Sequence, residues 1–375
     1  MKKFQFKSIV TLSMVIIVFS SINAQPRLQR VISPEVHPNQ TVTFRLWMPD
    51  AREVEVDVQF EQQRQPLVKN DSGIWSVTLG PVKPDIYPYS FFVNGIQIMD
   101  PANRLYFPNE QFKSSLVDIR GDTPLIHSLQ DIPHGLVTYR YYNSKTLNAI
   151  RQMVVYTPPG YEQGDEKKYP VLYLIHGMTD TEETWFKAGH ANLILDNLMA
   201  QGKAEPMIIV MPYANIFPDL MPDKLIDRET RLRKDLFSNE LLDDVIPFIE
   251  KNYRVLTDKE HRAIAGFSLG GRQTLAAGLA NPDKFDWVCA YAPAVWPQDL
   301  DNLFGELYAG PELLKQLKLL TVSCGKDDRL YESSLALVGK LNERKIDHIT
   351  FFPDGGHTWM NCKLFLTESL QLLFR

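Results

Sequence analysis

The chain has 375 residues, 44% of them hydrophobic and 23% charged, and its 45 acidic and 40 basic residues give a formal net charge of −5. This composition is typical of a folded globular protein, the length predicts two domains, and the acidic balance argues against nucleic acid as a partner. With only three cysteines, at most one disulfide is possible, and Cys289 and Cys324 lie in apolar strands, where buried free thiols are expected; no cysteine and histidine spacing predicts a metal site.

The first 24 residues have the pattern of a secretory signal peptide. Three lysines among the first seven residues precede an apolar run from residue 9 to residue 19, and small residues follow up to Ala24. We predict cleavage after Ala24 and a periplasmic or secreted protein. Loss of those lysines takes the formal charge from −5 to −8. Elsewhere the chain has no run of about 20 apolar residues, so no stable membrane insertion is expected.

Residues 25–122 have the pattern of a small β-sandwich. Apolar and polar residues alternate from residue 42 to 48 and again from 54 to 60, and Asn94-Gly95 separates two apolar runs, as in a tight hairpin. No helical period occurs before about Ile119, and a proline-containing linker is predicted over residues 123–134. Four aromatic residues of this region suit either a core position or glycan binding: Trp47, Trp75, Tyr87 and Tyr89.

The remaining residues, 135–375, contain a Gly-x-Ser-x-Gly motif centred on Ser268. A short apolar strand precedes the motif and an alanine- and leucine-rich helical segment follows it, which is the context that a nucleophile elbow requires. Glycines two residues either side of a serine relieve crowding in so tight a turn. We therefore predict that Ser268 is a nucleophile and that this domain is an α/β-hydrolase, a mostly parallel sheet flanked by helices.

Two later strands end in the residue types that such a nucleophile needs. The strand at 318–324 leads into Asp327 and Asp328, and the strand at 348–352 leads into Asp354 and His357. The order serine, acid, histidine is that of α/β-hydrolases, and both strand ends lie at the edge where sites form. His357 is the predicted general base. Asp327 and Asp328 both remain candidates for the acid, and Asp354 is expected to be a turn residue.

The oxyanion of acyl transfer needs two backbone donors. One is expected to be the N–H of Leu269, directly after the nucleophile, and the other the N–H of Met178, in the loop after the apolar strand 171–175. His176 has the wrong position in the chain order to be the base and is expected to be structural. This chemistry needs no cofactor and no metal.

Aromatic residues follow three strands at the same edge, and an aromatic platform there would suit an aromatic ring or a sugar face of a substrate. The candidates for substrate binding are Trp185, Trp296 and Trp359; the alternative is that they brace loops. Residues 215–233, with two prolines and mixed charge, are predicted to form a loop insertion over the site.

Together, segment 172–185, the elbow at 266–271, Gly325-Lys326-Asp327-Asp328 and Gly355-Gly356-His357 resemble the esterase D-like branch of the α/β-hydrolases, above all family 1 carbohydrate esterases. The resemblance covers residues 135–375 and implies that the acid is Asp328, the fourth residue of its Gly-x-x-Asp turn. The segment after His-Gly is poorer in glycine than is usual in the family. The N-terminal region resembles the early-set domains grouped with family 48 carbohydrate-binding modules.

The resemblance implies a secreted serine esterase that removes feruloyl or acetyl groups from plant polysaccharide, with a polysaccharide or oligosaccharide ester as substrate. Three alternatives remain open at this point. They are an enterochelin-type siderophore esterase, a catalytically silent glycan-binding protein, and an acyltransferase on the same scaffold.

Overall fold

The structure, a computed structural model, describes residues 31–164, 166–216, 236–296, 300 and 311–375. The predicted signal peptide and residues 217–233 of the predicted loop insertion lie outside the described residues.

The N-terminal region is a β-sandwich, as predicted. One antiparallel sheet has the strand order β1-β2-β6-β5, and the other has the order β4-β3-β7-β10-β9, with β8 paired to β7. The strands are β1 Glu35–Val36, β2 Val42–Trp47, β3 Val54–Val58, β4 Gln65–Pro66, β5 Val68–Lys69, β6 Ile74–Leu79, β7 Asp85–Val93, β8 Ile96–Ile98, β9 Tyr106–Phe107 and β10 Ser114–Ile119.

The sandwich core is formed by the alternating apolar residues of the sequence. Phe44 and Phe91 are fully buried between the sheets, and the hairpin from β7 to β8 turns at Asn94 and Gly95, both with positive φ. Of the four aromatic residues with two possible roles, Trp75, Tyr87 and Tyr89 lie in this core, and Trp47 is half-buried. Burial leaves the first three with no free face for a glycan.

The C-terminal region contains an eight-stranded sheet of order β11-β12-β14-β13-β15-β16-β17-β18. Strands β11, β12 and β14 pair antiparallel, and the pairs from β14 through β13 to β18 are parallel. The strands are β11 Leu136–Ser144, β12 Ala149–Thr157, β13 Val171–Ile175, β14 Ile208–Pro212, β15 Arg262–Phe267, β16 Trp287–Tyr291, β17 Leu319–Ser323 and β18 Ile349–Phe351.

Helices cover both faces of this sheet, which confirms the predicted α/β-hydrolase fold. They are α1 Thr184–Lys187, α2 Ala191–Ala200, α3 Leu236–Glu240, α4 Ile246–Asn252, α5 Leu269–Ala280, α6 Pro311–Leu314, α7 Tyr331–Glu343 and α8 Trp359–Leu370, with a π-helical turn at Leu241–Val245 and 3₁₀ turns at Tyr161–Gln163 and Lys259–His261. No helix within the described ranges is long and apolar enough to cross a membrane.

The central strands are buried along their whole length, because both faces of the sheet are covered. Cys289, Cys324 and Cys362 are buried free thiols, as predicted for the first two. The carboxyl ends of β13, β15, β17 and β18 meet at one edge of the sheet, and the predicted functional residues follow these ends.

A largely buried ion pair joins the sandwich to helix α8 of the hydrolase domain. Nζ of Lys363, on α8, lies 2.6 Å from Oδ1 of Asp85, at the start of β7, and the two side chains are 3% and 16% exposed. Nε2 of His127, in the segment between the domains, lies 3.6 Å from the same oxygen. Burial, and then the charge of Lys363, lowers the pKa of His127 to about 3, so this imidazole is neutral and Lys363 is the cation of the cluster.

Candidate active site

Ser268 occupies the turn between β15 and α5. Its backbone has φ 60° and ψ −114°, a strained combination for a residue with a side chain. The surroundings hold it there, since its N–H donates to the Tyr291 carbonyl at 2.9 Å and its carbonyl accepts from the Ala294 N–H at 2.9 Å. The turn therefore places the serine just beyond the end of β15, at the edge of the sheet, with 8% of the residue exposed.

The glycines of the motif are required by space. A Cβ on Gly266 would lie 2.4 Å from the Gly270 carbonyl oxygen, and a Cβ on Gly270 would lie 2.4 Å from the His176 carbonyl oxygen. Both distances are far below van der Waals contact, and the obstacles are backbone atoms that cannot move aside. The strand, the turn and the neighbouring β13 loop can thus pack at this distance only with glycine at both positions.

The structure brings His357 and Asp328 together. Nδ1 of His357 lies 2.7 Å from Oδ2 of Asp328, whose side chain is 1% exposed. The other carboxylate oxygen accepts from the Leu330 N–H at 2.8 Å, so both oxygens are occupied and the carboxylate is fixed. The imidazole stacks on Phe267, with ring centroids 4.3 Å apart, which places it beside the residue that precedes Ser268.

Asp327 lies next to Asp328 but hydrogen-bonds to the loop that carries His357 and not to the imidazole itself. Its backbone N–H donates to the Gly355 carbonyl at 3.0 Å, and its carboxylate accepts from the Gly355 N–H at 3.0 Å. These bonds tie the acid turn to the loop that carries His357. Asp354 lies at the surface, where it pairs with Lys326 at 3.1 Å, in keeping with the predicted turn position.

Two backbone donors next to Ser268 are available for an oxyanion. A Cβ on Gly177 would lie 3.5 Å from the Cβ of Ser268, so the loop of residues 176–184, here called the His-Gly loop, passes close beside the serine. Within the described part of the chain, neither the Met178 N–H nor the Leu269 N–H has an acceptor. Unpaired donors at both predicted positions are what an oxyanion site requires.

His176 fixes the start of the His-Gly loop. Its Nε2 accepts from the Ala214 N–H at 2.9 Å, and its Nδ1–H donates to the Gly177 carbonyl at 2.8 Å. Burial lowers the pKa of this imidazole to about 4, so it remains neutral and keeps one donor and one acceptor nitrogen. The residue has the structural role expected from its place in the chain.

The sandwich reaches the His-Gly loop through the turn after β9. Asn109 Nδ2 donates to Thr179 Oγ1 at 2.9 Å and to Asp180 Oδ1 at 3.0 Å, and the Glu110 N–H donates to the Thr179 carbonyl at 2.7 Å. Further along, the Thr184 hydroxyl donates to the Pro108 carbonyl at 2.6 Å. The predicted loop on the catalytic side is therefore held by both domains.

Two of the three tryptophans predicted to bind substrate do not have the position that this role needs. Trp185 is fully buried, its indole N–H donates to the Ile175 carbonyl at 3.0 Å, and it packs edge-on against Trp359 at 4.8 Å. Trp359 is itself 8% exposed and also packs on Phe267. Both rings pack on the core side of the loops and support them, because they lie on helices that face the sheet. Trp296 is half-buried at the end of the segment after β16 and remains a candidate.

Asn109 and Phe267 are site residues that the sequence did not single out. Phe267 could have been found as the side chain next to the nucleophile at a strand end. The pair Pro108-Asn109 is a turn signal, but it contains no information about a partner 70 residues away.

Comparison with known proteins shows what this architecture is similar to. Residues 144–337 match the model of the Esterase family, and residues 32–104 match carbohydrate-binding module 48, the isoamylase N-terminal domain. An endo-1,4-beta-xylanase/feruloyl esterase of Xylanibacter ruminicola is 30% identical over 298 residues, which are 78% of this chain and 39% of that protein. The chain thus spans well under half the length of that curated relative.

Solved structures match different shares of this chain. A family 1 ferulic acid esterase from Anaeromyces mucronatus, in complex with ferulic acid, is 26% identical with a TM-score of 0.57 and covers 66% of this chain and 94% of its own. The enterobactin esterase of Shigella flexneri covers 89% of this chain and 94% of its own, with a TM-score of 0.66 and 18% identity. At that identity the second likeness concerns the fold alone.

Proposed function

The chain belongs to the Esterase family, and on that premise we propose that it is a secreted serine carboxylic-ester hydrolase that removes feruloyl or acetyl groups from xylan. The observation that carries the proposal is the bond of 2.7 Å between His357 and Asp328 at the sheet edge that holds the strained Ser268. A serine, an oriented imidazole and two unpaired backbone donors are the parts of an acyl-transfer site.

The proposed reaction has two halves. Ser268 Oγ attacks the ester carbonyl while His357 takes its proton, and the carbonyl oxygen becomes an oxyanion bound by the N–H groups of Leu269 and Met178. The carbon–oxygen bond to the sugar then breaks, His357 gives the proton to the departing sugar oxygen, which leaves as a hydroxyl group, and the acyl group remains on the serine. A water molecule then attacks the acyl carbon while His357 takes its proton. The bond from that carbon to Ser268 Oγ breaks, and His357 returns the proton to Oγ, which releases the acid and restores Ser268.

Asp328 orients the imidazole in this scheme. Its carboxylate accepts the Nδ1–H of His357, which leaves Nε2 as the basic nitrogen and stabilises the imidazolium after proton transfer. Its second oxygen is fixed by the Leu330 N–H. The acid therefore holds one tautomer throughout the cycle.

The named relatives support the substrate class. The relative from Xylanibacter ruminicola is named for both xylanase and feruloyl esterase activity, and the carbohydrate-binding module match in the sandwich is consistent with a polysaccharide ester. Trp296 is the remaining candidate for contact with the acyl group or the sugar. Secretion rests on the predicted signal peptide at residues 1–24.

The test is release of ferulate and of acetate, measured side by side from arabinoxylan oligosaccharides, by residues 25–375. Ferulate release that disappears in Ser268→Ala supports a feruloyl esterase, and acetate alone supports an acetylxylan esterase. Glycan binding without turnover of any ester would overturn the proposal in favour of a silent binding protein. Faster hydrolysis of a catecholate trilactone than of either xylan ester would replace it with a siderophore esterase.

A further inference from the structure

Thr179 has an unusual backbone within the His-Gly loop. Its φ is +67°, a region that β-branched residues rarely adopt. Thr179 directly follows Met178, whose N–H is the proposed second oxyanion donor. Because the two residues are adjacent, a change in the backbone of Thr179 would displace Met178 and with it the direction of its N–H.

The contacts that hold Thr179 come from the sandwich. Its hydroxyl accepts from Asn109 Nδ2 at 2.9 Å, and its carbonyl accepts from the Glu110 N–H at 2.7 Å. Both partners belong to the turn after β9, and the two contacts grip the residue through its side chain and its backbone. The N-terminal domain thus supplies bonds that the strained residue does not find within its own loop.

Asp180 closes the same turn from the other end. Its backbone N–H donates to the Gly177 carbonyl at 3.2 Å, and its Oδ1 accepts from Asn109 Nδ2 at 3.0 Å. Met178 and Thr179 lie between Gly177 and Asp180, whose positions these two hydrogen bonds fix. One side-chain amide therefore binds both residues that follow the proposed donor.

Asn109 is itself held in one orientation. Its Oδ1 accepts from the N–H groups of Gln111 and Phe112, each at 2.9 Å, and its Nδ2 faces the two acceptors on the His-Gly loop. The residue is 7% exposed. All the hydrogen-bonding capacity of the amide is used. Reversing it would set its NH₂ group against the N–H groups of Gln111 and Phe112 and its oxygen against the Asp180 carboxylate.

We propose that Asn109 is a positioning residue for the oxyanion site, so that the sandwich domain completes the catalytic machinery by fixing the Met178 N–H. The proposal rests on the proposed serine esterase function. A donor that shifts by about 1 Å loses most of its effect on the transition state, whereas binding of a small ester in the ground state is unchanged.

The sharpest test exchanges the two partners. Asn109→Asp keeps an oxygen for Gln111 and Phe112 but loses both donors and sets a second carboxylate against Asp180. The swap, Asn109→Asp combined with Asp180→Asn, restores the hydrogen bond in the opposite direction. The donor is then the amide at position 180 and the acceptor is the carboxylate at position 109. Asn70→Asp is the matched control, because Asn70 Oδ1 also accepts from two N–H groups of its own turn, at 3.0 Å each, without contact to the His-Gly loop.

The measurements are kcat and KM on an aryl acetate, the rate at which an aryl phosphonate labels Ser268, and the folded fraction by circular dichroism at the assay temperature. We expect Asn109→Asp to lower kcat per folded molecule about 100-fold, with KM within about 3-fold of the parent, and to slow labelling in parallel. The swap is expected to recover kcat to within about 10-fold, and Asn70→Asp to match the parent.

A parental kcat in Asn109→Asp, or a loss that the folded swap variant does not recover, would overturn the proposal. If Asn109→Asp does not fold, Asn109→Ser gives the same comparison, since serine can donate to only one of the two acceptors; parental kcat in that variant would also overturn it. The function is tested separately. A parent that does not turn over the aryl ester fails the esterase proposal, whereas turnover that requires Ser268 but ignores Asn109 fails only this inference.

Discussion

His357 and Asp328 are joined by a hydrogen bond of 2.7 Å between Nδ1 and Oδ2, and the carboxylate at its end is 1% exposed. The neighbouring carboxylate of Asp327 accepts instead from the backbone of Gly355. Two adjacent acids at one strand end thus have separate roles, one on the imidazole and one on the loop that carries it.

The first prediction concerns these two acids. Asp328→Asn is expected to lower kcat by about 10⁴-fold, because the amide favours the wrong imidazole tautomer and cannot stabilise the imidazolium. Asp327→Asn keeps an oxygen for the Gly355 N–H and is expected to cost less than about 10-fold. The measurement is kcat on an aryl acetate, and the opposite ranking would assign the acid to Asp327.

The second prediction concerns the proposed nucleophile and the proposed base. Ser268→Ala and His357→Ala are each expected to lower kcat by about 10⁴-fold or more, and the double variant is expected to lose no more than either single one, because the members of a triad act as a unit. Losses that multiply in the double variant would mean that the two side chains act independently. Circular dichroism of each variant checks that the fold is intact.

The fold and the position of the candidate site at the sheet edge could be predicted because their signals are local. Ser268 lies in a strand, turn and helix motif of a few residues, and His357 follows a short strand and two glycines. The choice between Asp327 and Asp328 could not be made from pattern alone, since both follow the same strand. It depended on the family resemblance, and the structure now pairs Asp328 with the imidazole.

Contacts across the domain boundary and the directions of side chains could not be predicted. Nothing in the pattern around Asn109 indicates a partner in the His-Gly loop. Trp185 and Trp359 follow strands on the catalytic edge as expected, but their helices turn both rings towards the sheet. Chain order predicts which edge a residue reaches, whereas packing decides whether its side chain faces the cleft or the core.

The third prediction follows from the burial of Trp185. Trp185→Phe removes the indole donor to the Ile175 carbonyl and leaves a space in a fully buried site, so the free energy of unfolding is expected to fall by about 1–3 kcal/mol. Urea unfolding measures the loss. KM for a feruloylated oligosaccharide is expected to stay within about 2-fold of the parent, and a several-fold rise in KM at unchanged stability would return Trp185 to the substrate site.

The fourth prediction concerns the ion pair between the domains. Lys363→Met leaves the Asp85 carboxylate largely buried without its cation, and the expected loss is roughly 3 kcal/mol of unfolding free energy. Asp85→Asn together with Lys363→Met removes both charges and is expected to recover most of that loss. Measurement at pH 8 keeps His127 neutral, so that it cannot replace the missing cation. Equal stability of the parent and Lys363→Met would show that the pair contributes nothing.

The fifth prediction concerns Asp180, which is 5% exposed. Burial raises the pKa of its carboxyl from 3.8 to about 7, against the opposing effect of the hydrogen bond from Asn109. A folded-state pKa above the unfolded value means that the folded protein holds a proton that the unfolded chain releases between these two pH values. The contribution of Asp180 to stability is therefore complete below about pH 3.8 and is lost as the pH rises towards 7.

Asp180→Asn removes this titration and keeps an oxygen for Asn109. Relative to that variant, the parent is expected to lose on the order of 3 to 4 kcal/mol of unfolding free energy between pH 4 and pH 8. Other titrating groups, including His176, are present in both proteins, so the difference between the two curves isolates Asp180. Urea unfolding of both proteins at intervals of half a pH unit provides the measurement. Parallel curves would mean that the carboxyl has the same pKa folded and unfolded, and that the polar contacts from Asn109 fully offset its burial.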